Sequence, residues 1–203
     1  MAFDMGWNPR GTAGYVTDQS FAVPFLNEAY PHTYTNVDGY SVNAGALIWL
    51  SSIDRDSSND PRLAGRGATN SESGRGIQID LSSGSAPGAG PYTIDLAMGD
   101  IEGPWTQDFQ VLDGATVLID GSAGYVTAAH HYIDATLTDV AATTTWTGTP
   151  VSKTFAGTTA KIVLGSTGVV TLAHFRLTLE GSAANVRQEH IGFGIGRGIL
   201  IGR

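Results

Sequence analysis

The chain has 203 residues, a net charge of −8, 27 glycines and no cysteine, and only 15% of its residues are charged. That length suits one all-β domain with extensions and a core of useful size. The missing cysteines exclude a disulfide scaffold and a thiolate metal site. Low charge with many Gly and Thr favours strands and turns over long helices.

From the N-terminus, residues 1–33 read as an irregular, aromatic arm holding Phe3, Trp7, Tyr15, Phe21, Phe25 and Tyr30. Pro24 and Pro31 argue against a helix there, and the arm is expected to pack on the body, supplying an edge strand. The opening MAFDMGWNPR has neither the basic nor the apolar stretch of a secretory signal. No apolar run is long enough to span a bilayer, so membrane insertion is not expected.

A strand is expected over Ala46–Ile53, followed by a polar loop over 54–75. That loop holds Arg55, Arg62, Arg66 and Arg75 together with Asp54, Asp56, Asp60 and Glu72, so it is net neutral and reads as a paired Arg–Asp network. Asp54, Asp56, Asn59 and Asp60 also have the oxygen-rich spacing of a calcium loop, but the turn glycine and terminal glutamate of an EF-hand are missing. No metal and no cofactor is expected.

The pattern then sharpens. Ile77, Ile79 and Leu81 alternate with polar residues, as do Tyr92, Ile94, Leu96 and Met98. Period two with one apolar face marks half-buried antiparallel strands, and the Gly/Ser/Pro stretch between them reads as the loop of a hairpin. Further strands are expected at Asp108–Leu112, Thr116–Ile119, Tyr125–Asp134, Val151–Phe155, Lys161–Leu164 and Val169–Leu179. Asp113-Gly114 between two apolar runs is a hairpin turn signal. In the last strand, Thr171, Ala173, Phe175, Leu177 and Leu179 are expected on one face and His174, Arg176, Thr178 and Glu180 on the other. Eight or more short strands divided by turns indicate an all-β, jelly-roll-like β-sandwich over residues 34–181. The remaining residues, 182–203, form a Gly-rich tail ending HIGFGIGRGILIGR, too glycine-rich for a stable helix and suited to lie along its own body or a neighbouring subunit.

Charge is uneven. Every charged residue between Gly76 and Ser152 is acidic, which repels phosphate backbones and argues against nucleic acid. Asn185–Arg203 carries three Arg and one Glu and is the only basic segment of any length.

The ordered set FDMGWNPRGTAGYVTD (3–18), EAYP (28–31), RDSSNDPRLAG (55–65), IDL…YTIDLAMGD (79–100) and TLAHFRLTL (171–179) resembles a group of tailed-bacteriophage and prophage structural proteins. The central part is also similar to galactose-binding-like and carbohydrate-binding β-sandwich modules. The resemblance implies a virion component with a carbohydrate-binding-type fold. Because sites for chemistry are not evident while apolar terminal segments are, the expected role is a non-enzymatic decoration protein on capsid or tail, made in a host cytoplasm. Its partners would be other virion proteins and further copies of itself. Subunit contacts are expected at Phe3, Trp7, Phe193, Ile195, Ile199, Leu200 and Ile201.

Candidate chemistry is sparse. Asp100 and Glu102 beside Trp105 (GDIEGPW) pair carboxylates near an aromatic, as a glycan hydrolase or esterase would, but also suit a solvated turn. His130 and His131, adjacent on an expected strand, would point to opposite faces, and His174 is expected on an outer face. Trp49 lies in an apolar strand and reads as core. Trp105 and Trp146 lie in loop-like sequence and are the candidate stacking platforms for a host-surface glycan, the alternative function being an adhesin or carbohydrate-binding module.

Overall fold

The structure, a computed structural model, describes residues 4–7, 29–35, 41–48, 51–54, 60–63, 65–70, 74–166 and 168–181, with backbone alone for 4–7, 51–54, 61 and 65–70. The expected contacts Phe3, Phe193, Ile195, Ile199, Leu200 and Ile201 lie outside the described residues, as do Trp49 and Arg55–Asn59, and the side chain of Trp7 is likewise not described.

Sixteen strands follow one another among the described residues. They are β1 (Asp4–Trp7), β2 (His32–Thr35), β3 (Ser41–Ile48), β4 (Ser51–Asp54), β5 (Gly65–Asn70), β6 (Arg75–Asp80), β7 (Gly90–Asp100) and β8 (Trp105–Gln107). The second half holds β9 (Phe109–Asp113), β10 (Thr116–Asp120), β11 (Tyr125–Thr127), β12 (His131–Ile133), β13 (Asp139–Ala141), β14 (Val151–Phe155), β15 (Thr159–Leu164) and β16 (Val169–Leu179). A 3-10 turn, Pro61–Leu63, is the only helical element among the described residues, and no helix there is long and apolar enough to cross a membrane.

The all-β sandwich expected from the sequence is present. One sheet has the order β10-β9-β15-β6-β3-β2. The other runs β13-β12-β7-β16-β5-β4, with β14 pairing the first half of β7 and β1 pairing the second half of β16. A small sheet, β11-β8, stands apart. β6 lies beside β15 in the first sheet, and their continuations β7 and β16 lie side by side in the second. This antiparallel ribbon wound across two sheets is the jelly-roll arrangement.

The core fills the space between the sheets. Ile77, Ile79, Phe109, Val111, Ile162 and Leu164 enter from one side and Tyr92, Ile94, Leu96, Met98, Phe175 and Leu177 from the other. Phe155 meets Tyr92 edge-on at 5.4 Å, and the Tyr92 hydroxyl, at the rim, donates to the Gly88 carbonyl at 2.6 Å. Each large side chain buried in this way contributes about 1.5–3 kcal/mol against chain entropy.

Several expectations are corrected. The segments over 76–100 are not a hairpin: β6 and β7 belong to opposite sheets. Their alternating apolar residues face the same core from its two sides, which a hairpin within one sheet would not achieve. The strand expected over Ala46–Ile53 is divided between the end of β3 and β4, again in different sheets. The expected loop 54–75 contains the 3-10 turn and β5, which pairs β4 and β16. Tyr125–Asp134 is two strands broken at His130, whose φ of 59° lies in the left-handed region. In β16 the register shifts between Leu172 and His174, so the core-facing set is Val170, Leu172, Phe175 and Leu177. The bulge moves the face by one residue, and a fixed period-two reading fails there. The arm does supply a strand: β1 pairs β16 with Trp7 opposite Phe175. β2 itself crosses the boundary drawn between arm and sandwich at residue 33.

Candidate functional site

The outer face of the eight-stranded sheet carries a second, smaller core: Ala97 from β7, Ala173 from β16, Tyr132 from β12, and Leu63, Ala142 and Trp146 from two covering segments. The first covering segment is Asp60–Leu63. Asp60 closes its turn by accepting the Arg62 N–H at 3.0 Å on its side chain and the Leu63 N–H at 2.9 Å on its carbonyl. The second follows β13. There Gly148 packs so tightly on the Trp146 ring that a Cβ would fall 2.0 Å from it, so only glycine allows the chain to curl back over the indole.

These segments are bound by charge. Arg62 forks onto Asp60, with Nε to Oδ1 at 3.0 Å and Nη2 to Oδ2 at 2.8 Å. Asp60 Oδ2 also accepts the Trp146 backbone N–H at 2.7 Å, and Arg62 Nη2 donates to the Trp146 carbonyl at 3.2 Å. Beneath them, Asp95 of β7 accepts the Trp146 indole N–H at 2.9 Å. Its other oxygen lies 3.3 Å from His174 Nε2 and 3.7 Å from Arg62 Nη1. His174 is fully buried and its ring stands edge-on to Trp146 at 6.1 Å.

Burial by itself would raise both carboxyl pKa values, but the surroundings win. Hydrogen bonds from Arg62 and the Trp146 backbone, with the Arg62 charge, bring Asp60 below the usual value. The His174 contact, the Trp146 indole and Arg62 do the same for Asp95. The Arg–Asp pairing expected near residue 60 is therefore present as Arg62–Asp60, and Asp60 has its oxygens filled by donors.

Trp146 is the main correction among the site residues. Expected in an exposed loop, it is 4% exposed, because its ring closes the small core and its N–H is held by Asp95. It presents no open face for stacking. His174 does lie on the outer face, as expected, but under the covering segments. Trp105 is half-buried at the start of β8.

The other acidic residues have structural partners. A repeated Asp-x-Ser/Thr turn ends three strands: Asp80 accepts from the N–H and hydroxyl of Ser82, Asp120 from those of Ser122, and Asp134 from those of Thr136. Asp113 accepts from the Ala156 N–H and the Thr158 hydroxyl. At the sheet end, Asp100 is buried while Glu102 is exposed in the following loop. Gly103 in that loop lies against the backbone of Ala128 and Ala129, and the His130 N–H donates to the Asp100 carbonyl at 3.1 Å. His130 and His131 do not share a strand: the first is in the turn, and the second begins β12 with Nδ1 3.0 Å from Asp139. No group of three or more metal-ligating side chains occurs among the described residues.

A buried polar cluster that the sequence did not flag ties β8–β11 to β16. Gln107 Nε2 donates to the Thr171 hydroxyl at 3.0 Å, and its Oε1 accepts the Thr171 N–H at 3.0 Å. The Thr127 hydroxyl lies within reach of the same amide nitrogen. The hint in the sequence is Thr171 set between apolar Val170 and Leu172.

Fold and site together define an antiparallel jelly-roll sandwich whose described acids and imidazoles are largely engaged in holding loops and turns. No family model matches the chain, and none of the curated proteins does. Among solved structures, the N-terminal CBM22-1–GH10 modules of Clostridium thermocellum endo-1,4-beta-D-xylanase 10B, complexed with xylohexaose, align at 16% identity and a TM-score of 0.36. The alignment covers 68% of this chain and 26% of that one, so the chain spans about a quarter of that protein's length.

Proposed function

We propose that this chain is a non-catalytic structural component of a tailed-phage particle, a rigid sandwich that docks on neighbouring subunits through its terminal segments. The observation that carries this reading is β1. It joins the sheet by pairing the second half of β16, a strand more than a hundred residues away in sequence. Strand addition at a sheet edge uses main-chain hydrogen bonds that any extended segment can offer, so the same edge serves as a docking position between copies or onto a partner. The engagement of Asp60, Asp95, Asp113 and Asp134 in loops and turns supports a structural role over catalysis. The test is reassembly. Particles lacking the protein should bind the full chain and lose most binding when residues 1–28 or 185–203 are deleted. Retained binding by a chain lacking both segments would refute docking through the termini.

A second reading, glycan binding as in an adhesin, is favoured by one observation: half-buried Trp105 lies in the same short segment as exposed Glu102 at the end of the sandwich. Retention on a glycan array that is lost in Trp105→Ala, and kept in Trp146→Phe, would select it over the first.

A further inference from the structure

We propose that the Trp146 cap is a detachable element: acidification releases segments 60–63 and 142–149 from the outer face of the eight-stranded sheet while the sandwich core stays folded. The inference is independent of the function proposed above.

The two cores lie on opposite faces of one sheet. β7 sends Ile94, Leu96 and Met98 inward to the main core, and Asp95 and Ala97 outward to the cap. The cap shares no buried apolar side chain with the main core. Its apolar part is small: three alanines, one leucine and two aromatic rings, Tyr132 and Trp146, edge-on at 5.9 Å. Such a satellite opens as a unit of its own at lower free energy than the whole fold.

What binds it is a pair of carboxylates serving both segments, with a third, Asp134 in the β12–β13 turn, accepting the Thr149 N–H at the end of the second segment. Asp60, on the first segment, holds the backbone of the second at Trp146. Asp95, on the sheet, holds the Trp146 indole and faces Arg62. Among the described residues, the charged and titratable groups around them are Arg62 from the 3-10 turn, His174 from β16, Arg176 directly across from Asp95 in β16, and Tyr132 from β12. The two arginines are cationic at all accessible pH, and both carboxylates sit among these groups. Protonating Asp60 and Asp95 removes the negative charge from the cluster and weakens the bonds to Trp146 and Arg62 together. Among the described residues the main core cluster itself contains no charged side chain, and the buried carboxylate beside it, Asp134, bonds chiefly to its own turn.

The test uses the full chain labelled with 5-fluorotryptophan. The four tryptophans give separate ¹⁹F resonances, and Trp146 is assigned by its loss in Trp146→Phe. On titration from pH 7 to 2, the Trp146 resonance should move to a solvent-exposed position, with a full H₂O/D₂O isotope shift, before the Trp105 resonance or the far-UV strand signal changes. Asp95→Asn should raise the open population about tenfold or more at a given pH, as expected for loss of charge-assisted bonds. Should Asp95→Asn fail to fold, Arg62→Gln, which keeps both carboxylates, should move the Trp146 transition to higher pH. A single transition in which Trp146, Trp105 and the strand signal change together would overturn the proposal. So would a Trp146 resonance that stays buried to pH 2, or one indifferent to both substitutions.

Discussion

Asp134 offers the sharpest test of how the loops at the sandwich rim are held. It is 1% exposed and sits between β12 and β13. Its Oδ1 accepts the N–H groups of Thr136 at 2.9 Å and Thr138 at 3.1 Å, and the Thr136 hydroxyl at 2.6 Å. Its Oδ2 accepts the Thr149 N–H at 2.8 Å, which joins this turn to the segment carrying Trp146. Hydrogen bonds to a charged acceptor contribute about 1.5–3 kcal/mol each. Three backbone donors are lost in Asp134→Ala, but they are only partly buried, so water replaces some of that, and a total of about 3–4 kcal/mol is expected. Asp134→Asn retains the Oδ1 acceptor and turns an NH₂ towards the Thr149 N–H, donor against donor, which should cost about 2 kcal/mol. Urea unfolding should show the midpoint falling in the order wild type, Asn, Ala with an unchanged slope, and at this chain length the alanine variant should melt about 10 °C lower. An alanine variant within about 1 kcal/mol of wild type would refute the reasoning, and so would equal losses for Asn and Ala.

Three other outcomes are expected. Gly76→Ala should abolish soluble expression, because at φ +146° its Cβ would lie 1.8 Å from the Ile162 carbonyl oxygen and force β6 from β15; a soluble variant with a near-native melting temperature would contradict this. Gln107→Leu keeps the shape but orphans the Thr171 N–H and hydroxyl, so a loss of about 2 kcal/mol is expected, with faster amide exchange at Thr171. Because Asp60 and Asp95 have folded pKa values below the unfolded value of about 3.9, their stabilisation is fully present above that pH and is lost as pH falls through the lowered values. Stability measured from pH 5 to 2 should therefore fall less steeply in the Asp60→Asn, Asp95→Asn double variant than in wild type. Asp120, also lowered by Ser122 and Gln110, is on the exposed surface and should not change that slope much.

The sequence by itself determined where most of the strands are and which residues are apolar on them. Val151–Phe155 and Val169–Leu179 match β14 and β16 at both ends, and Asp113-Gly114 turns between β9 and β10 as its residue types require. These features are local: alternation and turn chemistry are written in neighbouring residues. What only the tertiary structure decided is which sheet each strand joins and what covers it. Alternation says that Ile77 and Ile94 each face a core, but not that they do so from opposite sides. A bulge at Ala173 changes which residues of β16 point inward, and nothing local announces it. Trp146 looks like a loop residue because its burial depends on Asp60 and Asp95, 86 and 51 residues away. The physical reason is the same in each case: a side chain's face follows from its own backbone, whereas its burial and charge partners follow from chain segments that meet only when the sandwich closes.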